Sequence, residues 1–164
     1  MIIIGIVGWK NSGKTTLVKN LIKYFTKKKY VVGSIKHAHH NFDIDKRGTD
    51  SFIHRKSGAS EVLISSNKRF AKIEERNNLK ELSLNKLISK IERSDIVIVE
   101  GFKKENHKKI EVIRSYIKNQ KPLFESVKNV IAIATNKKVK TNLPMFDIND
   151  YQKIGDFIIR NIKK

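Results

Sequence analysis

The stretch Gly8-Trp9-Lys10-Asn11-Ser12-Gly13-Lys14-Thr15 constrains what this chain can fold into more than any other part of it. It matches the pattern G-x-x-x-x-G-K-[ST], and its flanks supply the context that the pattern needs. The apolar run Ile2-Ile3-Ile4-Gly5-Ile6-Val7 precedes it and reads as a buried strand. Apolar residues at 17, 18, 21, 22 and 25 come after it at helical spacing. Strand, glycine-rich loop and helix in that order make a phosphate cradle. Gly8 and Gly13 let the backbone close around phosphate oxygens. The amides of residues 10–15, Asn11 and Ser12 among them, supply donors together with the helix N-terminus. Lys14 adds a point charge for β- and γ-phosphates, and the Thr15 hydroxyl is placed to hold Mg²⁺. The pattern predicts binding of a nucleoside triphosphate.

Further apolar runs stand at 30–35, 61–64, 96–99 and 130–134. They are continuous rather than alternating, as in strands covered on both faces of a mostly parallel sheet. Between them, Leu84, Leu87, Ile88 and Ile91 form one helical stripe. Ile154, Phe157, Ile158 and Ile162 form another, entered through a cap at Asn149 or Asp150. The expected fold is α/β: a P-loop NTPase-like, doubly wound, mostly parallel sheet flanked by helices. The 164 residues suffice for one such core, so residues 1–164 are expected to form a single nucleotide-binding domain.

Ligands in such folds sit beyond the carboxyl ends of the strands. That rule selects the loop 8–15, the loop after Ile35 and the residues after Val99. Glu100 ends the run 96–99, where a phosphate-loop protein needs a carboxylate for Mg²⁺ or for an attacking water. Asp95 lies at the far end of the same strand and is not expected to reach the metal. Gly101 permits a sharp turn or a close approach. The segment 36–51 gathers three of the five histidines and the aspartates 43, 45 and 50. The favoured use is contact with phosphate, Mg²⁺ or a second anion through Lys36 and His37. A transition-metal site and a plain polar loop are the alternatives. Thr135-Asn136-Lys137-Lys138-Val139 stands where guanine-reading segments stand, but Val139 replaces their acid. These residues leave guanine or adenine open.

Composition excludes several classes. The chain has no cysteine, hence no disulfide, thiolate metal site or Cys nucleophile. It has no apolar run long enough to cross a bilayer, and a cytoplasmic location is expected. The formal charge is +19, with 35 Lys+Arg against 16 Asp+Glu. The lysines are scattered, and aromatic residues do not interleave with them as in a stacking platform. Attraction to a polyanion or an acidic partner is the functional reading of this charge and a solvated Lys-rich surface the alternative, and specific nucleic-acid binding is not expected.

Taken together, these segments resemble the molybdopterin-guanine dinucleotide biosynthesis adaptor protein B family, P-loop GTP-binding proteins. The likeness rests on Gly8-Trp9 through Thr16, Ile35-Lys36-His37 with His39-His40, Asp43-Ile44-Asp45-Lys46 and Gly48-Thr49-Asp50-Ser51. It continues in Arg55-Lys56-Ser57-Gly58-Ala59, Val99-Glu100-Gly101-Phe102-Lys103, Lys109-Ile110-Glu111-Val112 and Asp147-Ile148-Asn149-Asp150. The resemblance implies a homodimeric GTP-binding protein with weak GTPase activity. Such a protein assists the molybdopterin guanylyltransferase (MobA-type protein) that joins GMP to molybdopterin. It implies that Gly13, Lys14, Thr15 and Thr16 bind phosphate and Mg²⁺, and that Glu100 sits by the metal. It also implies that residues 36–50, Asp50 included, and 55–59 face the nucleotide or the pterin partner. Asn136 departs from the family's usual acid, and His107 replaces a frequent proline, an exchange expected to alter only a loop. The rival is a small metabolite or nucleoside kinase on the same fold. Its arginine-bearing lid finds no counterpart, since arginines are sparse and none cluster.

Overall fold

The computed structural model describes residues 1–38, 42–76, 80–114 and 121–162. The chain runs β1 (Ile2–Val7), α1 (Lys14–Lys27), β2 (Val32–Lys36), α2 (Asp50–Lys56), β3 (Glu61–Ser65), β4 (Phe70–Glu74), α3 (Leu84–Ile88), β5 (Ile96–Glu100), β6 (Lys109–Ile113), a 3-10 turn (Leu123–Glu125), β7 (Val130–Thr135), β8 (Met145–Asp147) and α4 (Tyr151–Ile162). It forms two compact units, Met1–His37 with Ser83–Lys164, and Ala38–Leu82.

The first unit holds a six-stranded sheet in the order β2-β5-β1-β6-β7-β8, with every neighbouring pair parallel. β1, β5 and β7 read as continuous apolar runs because both of their faces are covered. In β5, Ile96 and Ile98 join the cluster that includes Leu17, Leu21 and Phe25 of α1 and Ile154 and Ile158 of α4. Val97 and Val99 point the other way, into a cluster with Leu84 of α3, Ile35 and Phe102. The doubly wound α/β architecture expected from the runs is thus present. Asp150 caps α4, its Oδ1 accepting the Lys153 amide at 3.1 Å. Asp95 sits at the start of the β5 run, where its carboxylate accepts the Val31 amide at 2.8 Å.

The run 61–64 departs from expectation. It does not join the parallel sheet but forms β3, antiparallel to β4, in the second unit. Leu63 and Ile64 are 60% and 42% exposed, and Val62 alone is buried in that strand. The cause is local. The Ser66 amide donates to the Arg69 carbonyl at 2.8 Å, and the Ser66 hydroxyl accepts the Arg69 amide at 3.1 Å. That tight turn pairs 61–65 with 70–74 before any crossover is made. A short apolar run cannot by itself distinguish these outcomes. Within the same unit, Arg55 of α2 meets Asp43 at 2.9 Å, Asp45 at 3.2 Å and Glu75 at 2.9 Å. One guanidinium thereby ties the start of the unit to its helix and to the end of its hairpin.

His107 does more than alter a loop. Its ring lies where a Cβ at Gly5 would fall, with Nε2 nearest to that point. Neither ring nitrogen has a hydrogen-bond partner among the described residues. Burial, and then the Lys109 ammonium, push its pKa down to about 4. Lys109 itself is fully buried and satisfied by the carbonyls of Glu105, His107 and Lys128 at 2.5, 2.8 and 3.0 Å. The folded chain therefore keeps His107 neutral while the unfolded chain protonates it near the ordinary value of about 6.5. Its contribution to stability is hence intact above that value and is lost as pH falls toward about 4. In His107→Asn, stability measured by urea unfolding is expected to fall less steeply across that window. Parallel pH profiles for the two proteins would contradict it.

Candidate functional site

The strand order decides which chain ends meet. β1 lies between β5 and β6, so the exits of three strands adjoin at one edge. From β1 comes the loop 8–15, from β5 Glu100 and Gly101, and from β6 Arg114.

The loop is a concave turn of backbone amides. Asn11 and Gly13 are both left-handed, with φ of 62° and 95°. Alternation of left- and right-handed residues turns successive N–H groups toward one side, a geometry that binds anions. Helix α1 then starts at Lys14 with no side-chain cap and no acid in its first turn. Its first amides are left for another acceptor. Gly8 closes the loop against Ser12, whose hydroxyl is buried without a partner among the described residues. The Lys14 ammonium bends back to the Trp9 carbonyl at 2.7 Å. Burial lowers its pKa most; the Lys103 and Lys36 ammoniums act in the same direction, and Glu100 opposes them.

Residues far apart in sequence come together here. The Thr15 hydroxyl donates to Glu100 Oε1 at 2.9 Å, across 85 positions. Lys36 pairs in register with Glu100 on the neighbouring strand, and the His37 amide donates to the Glu100 carbonyl at 2.9 Å. The His37 ring stacks on Phe102 at 4.5 Å between centroids. Gly101, at φ 96°, passes so close that a Cβ would fall 2.8 Å from that of His37. Thr16 is exposed on α1. Asp50 opens α2 in the second unit and is exposed. Asp43 and Asp45 are engaged by Arg55, and His39 and His40 lie outside the described residues. No group of three metal-binding side chains exists among the described residues.

The exit of β6 carries a site residue that the sequence patterns did not single out. Arg114 Nε donates to the Ser12 carbonyl at 3.1 Å, so an arginine stands at the loop. The Trp9 indole donates to the Lys121 carbonyl at 2.9 Å, and Lys103 lies over its ring at 4.8 Å. Glu111, fully buried on β6, accepts the amides of Leu123 and Phe124 at 2.7 and 2.8 Å. Burial raises its pKa, and those two bonds oppose the rise. A cleft of about 170 Å³ opens beside the loop, with Trp9, Arg114, Pro122, Lys137 and Val139 among its walls. The missing signal was β6 itself. Lys109 and Glu111 interrupt its apolar run, so the strand-end rule did not reach Arg114.

Fold and site define a P-loop NTPase-like α/β protein. The family model for "Molybdopterin guanine dinucleotide synthesis protein B" (MobB) matches residues 3–136. A Haemophilus influenzae protein named molybdopterin-guanine dinucleotide biosynthesis adapter protein is 39% identical over 158 residues, covering 95% of this chain and 86% of the relative. An Escherichia coli protein of the same name is 34% identical over 164 residues, covering 99% and 94%. The crystal structure of Bacillus subtilis MobB superposes with a TM-score of 0.75 at 26% identity, covering 99% of this chain and 98% of that one. The chain belongs to the MobB family. That membership favours the adaptor reading and gives no support to a small-molecule kinase.

Gly101→Ala combines a left-handed backbone with a collision against His37. It is expected to lower stability by about 1–3 kcal/mol. An unchanged urea midpoint would mean that the two strand exits are free to separate.

Proposed function

We propose that this chain is a GTP-binding adaptor for the attachment of GMP to molybdopterin. It binds GTP with Mg²⁺ at the loop 8–15, hydrolyses it slowly, and acts as a cytoplasmic homodimer beside a molybdopterin guanylyltransferase, a MobA-type protein. The observation that carries the nucleotide reading is the contact between Thr15 and Glu100 at 2.9 Å, set at the mouth of the amide nest. A hydroxyl and a carboxylate so placed fit a hard divalent cation. The orphaned Ser12 hydroxyl and the uncapped start of α1 fit phosphate oxygens. In this reading Thr15 and Glu100 hold Mg²⁺, directly or through water. When bound, Mg²⁺ would neutralise charge on the β- and γ-phosphates.

The chain's own residues do the rest. Lys14 exchanges the Trp9 carbonyl for phosphate. Lys36 and Lys103 add positive charge around Lys14, and Lys36 also lies in register with Glu100. The cleft beside Trp9 receives the nucleobase, with Lys137 and Val139 among its walls. The names of the relatives and membership of the family support the biosynthetic role. No helix among the described residues is long and apolar enough to cross a membrane. A field of +19 favours an acidic protein partner and makes the encounter salt-sensitive.

Glu100→Gln is expected to keep most GTP affinity and to lose GTP hydrolysis by about tenfold or more, since shape survives and charge does not. Single-turnover hydrolysis equal to the parent would remove Glu100 from that role. The function itself is tested by reconstituting dinucleotide formation from molybdopterin and GTP with the guanylyltransferase. Addition of this chain is expected to raise the yield at limiting GTP, and Lys14→Ala is expected not to. Equal yields at every GTP concentration would leave the adaptor reading without support.

A further inference from the structure

The loop 8–15 is held at two points, by Arg114 at the exit of β6 and by the Lys121 carbonyl. Arg114 reaches back to the Ser12 carbonyl at 3.1 Å. Its guanidinium also packs on Gly13: Nε, Nη2 and Cζ stand 2.6, 2.7 and 3.0 Å from where a Cβ would be. The position thus has two reasons to be glycine, its φ of 95° and the arginine beside it. A second tie joins Trp9 to the Lys121 carbonyl at 2.9 Å. Lys121 leads into the 3-10 turn whose amides Glu111 holds at 2.7 and 2.8 Å. Glu111 and Arg114 belong to β6 and its exit, so both ties lead back to a strand buried in the sheet.

A trans peptide group is planar, and its C=O and N–H point in opposite directions. The chain has no cis peptide bond among the described residues. Fixing the Ser12 carbonyl on Arg114 therefore turns the Gly13 N–H away from the β6 exit, toward the concave side of the nest.

We propose that Arg114 is a positioning residue for phosphate binding, which acts through the Ser12–Gly13 peptide and presets an amide for a nucleoside di- or triphosphate. The proposal rests on the nucleotide reading above. Arg114 does not need to touch phosphate in this role. Its effect is accordingly the same for a ligand with two phosphates as for one with three. It also leaves unaltered the charge that Lys14 supplies.

The test compares GTP and GDP binding by calorimetry in the full chain, Arg114→Ala, Arg114→Lys and Lys14→Ala, with thermal melting of each without nucleotide. Arg114→Ala is expected to weaken GTP and GDP by the same factor, about tenfold or more. Arg114→Lys is expected to recover part of that loss, because an ammonium reaches the carbonyl but lacks the planar fork that packs on Gly13. Without nucleotide, the Gly13 amide is expected to exchange with solvent faster in Arg114→Ala than in the parent. A loss confined to GTP would overturn the proposal and place Arg114 on the γ-phosphate. Unaltered affinities with a lowered melting temperature would also overturn it and leave a purely structural tie. If Arg114→Ala does not fold, Arg114→Lys decides: equal weakening toward both ligands supports the proposal, and unaltered binding overturns it. Lys14→Ala separates the two levels. If it loses affinity while the Arg114 variants do not, only this proposal fails. If it also binds normally, the nucleotide reading fails and this proposal fails with it.

Discussion

Parallel pairing of β1 with β5 on one side and β6 on the other is the constraint on which the site depends. The pairing sets Ile6 beside Glu100 and Gly5 beside Lys109, so the exits of the three strands leave the sheet together. Thr15 and Glu100 meet because the turn after β1 carries the chain over the end of β5. Arg114 meets Ser12 because β6 ends on the other side of the same turn. Neither contact is local in sequence. Each rests on side chains buried on both faces of the sheet, where displacement of one strand would open cavities costing several kcal/mol.

The electrostatics of the site follow from that convergence. An amide nest, an uncapped helix start and the ammoniums of Lys14, Lys36 and Lys103 gather near the Glu100 carboxylate, which acts on Lys14 together with the two other ammoniums. The lowered pKa of Lys14 records the cost of holding a cation partly out of water among others of its sign. An anion entering the nest would relieve that cost, which is the electrostatic basis of the proposed phosphate site. Away from the site, other buried charges are fully satisfied. Lys109 is held by three carbonyls and Glu111 by two amides. These two charges are structural: they anchor the β6 exit, and one of them holds the turn against which Trp9 docks.

The second unit obeys a different logic. Its two-stranded hairpin buries little, with Leu63 and Phe70 60% and 65% exposed. An isolated hairpin of this kind is marginal on its own. Arg55 supplies what the hairpin lacks, joining Asp43, Asp45 and Glu75 through a side chain that is only 9% exposed. Segment 55–59, singled out in the sequence for a ligand, thus begins with a residue committed to its own unit.

The sequence by itself determined the α/β class, the strands β1, β5 and β7, the helices α1 and α4, and the loop with its lysine and threonine. These were legible because each is a local pattern: glycines at fixed spacing, apolar runs covered on both faces, and a 3.6-residue stripe. Glu100 was legible as well, since a strand-end rule applies to any run that is plainly a strand. Tertiary structure decided what no local pattern carries. The run 61–64 has the composition of a core strand and lies in a hairpin, because a four-residue turn pairs it with its neighbour first. His107 has the sequence context of a loop and is wedged against Gly5, because β6 enters the sheet beside the middle of β1. Arg114 looks like one more basic residue in a chain of charge +19. It becomes part of the site only because β6, disguised in sequence by two buried charges, packs beside the strand that launches the loop.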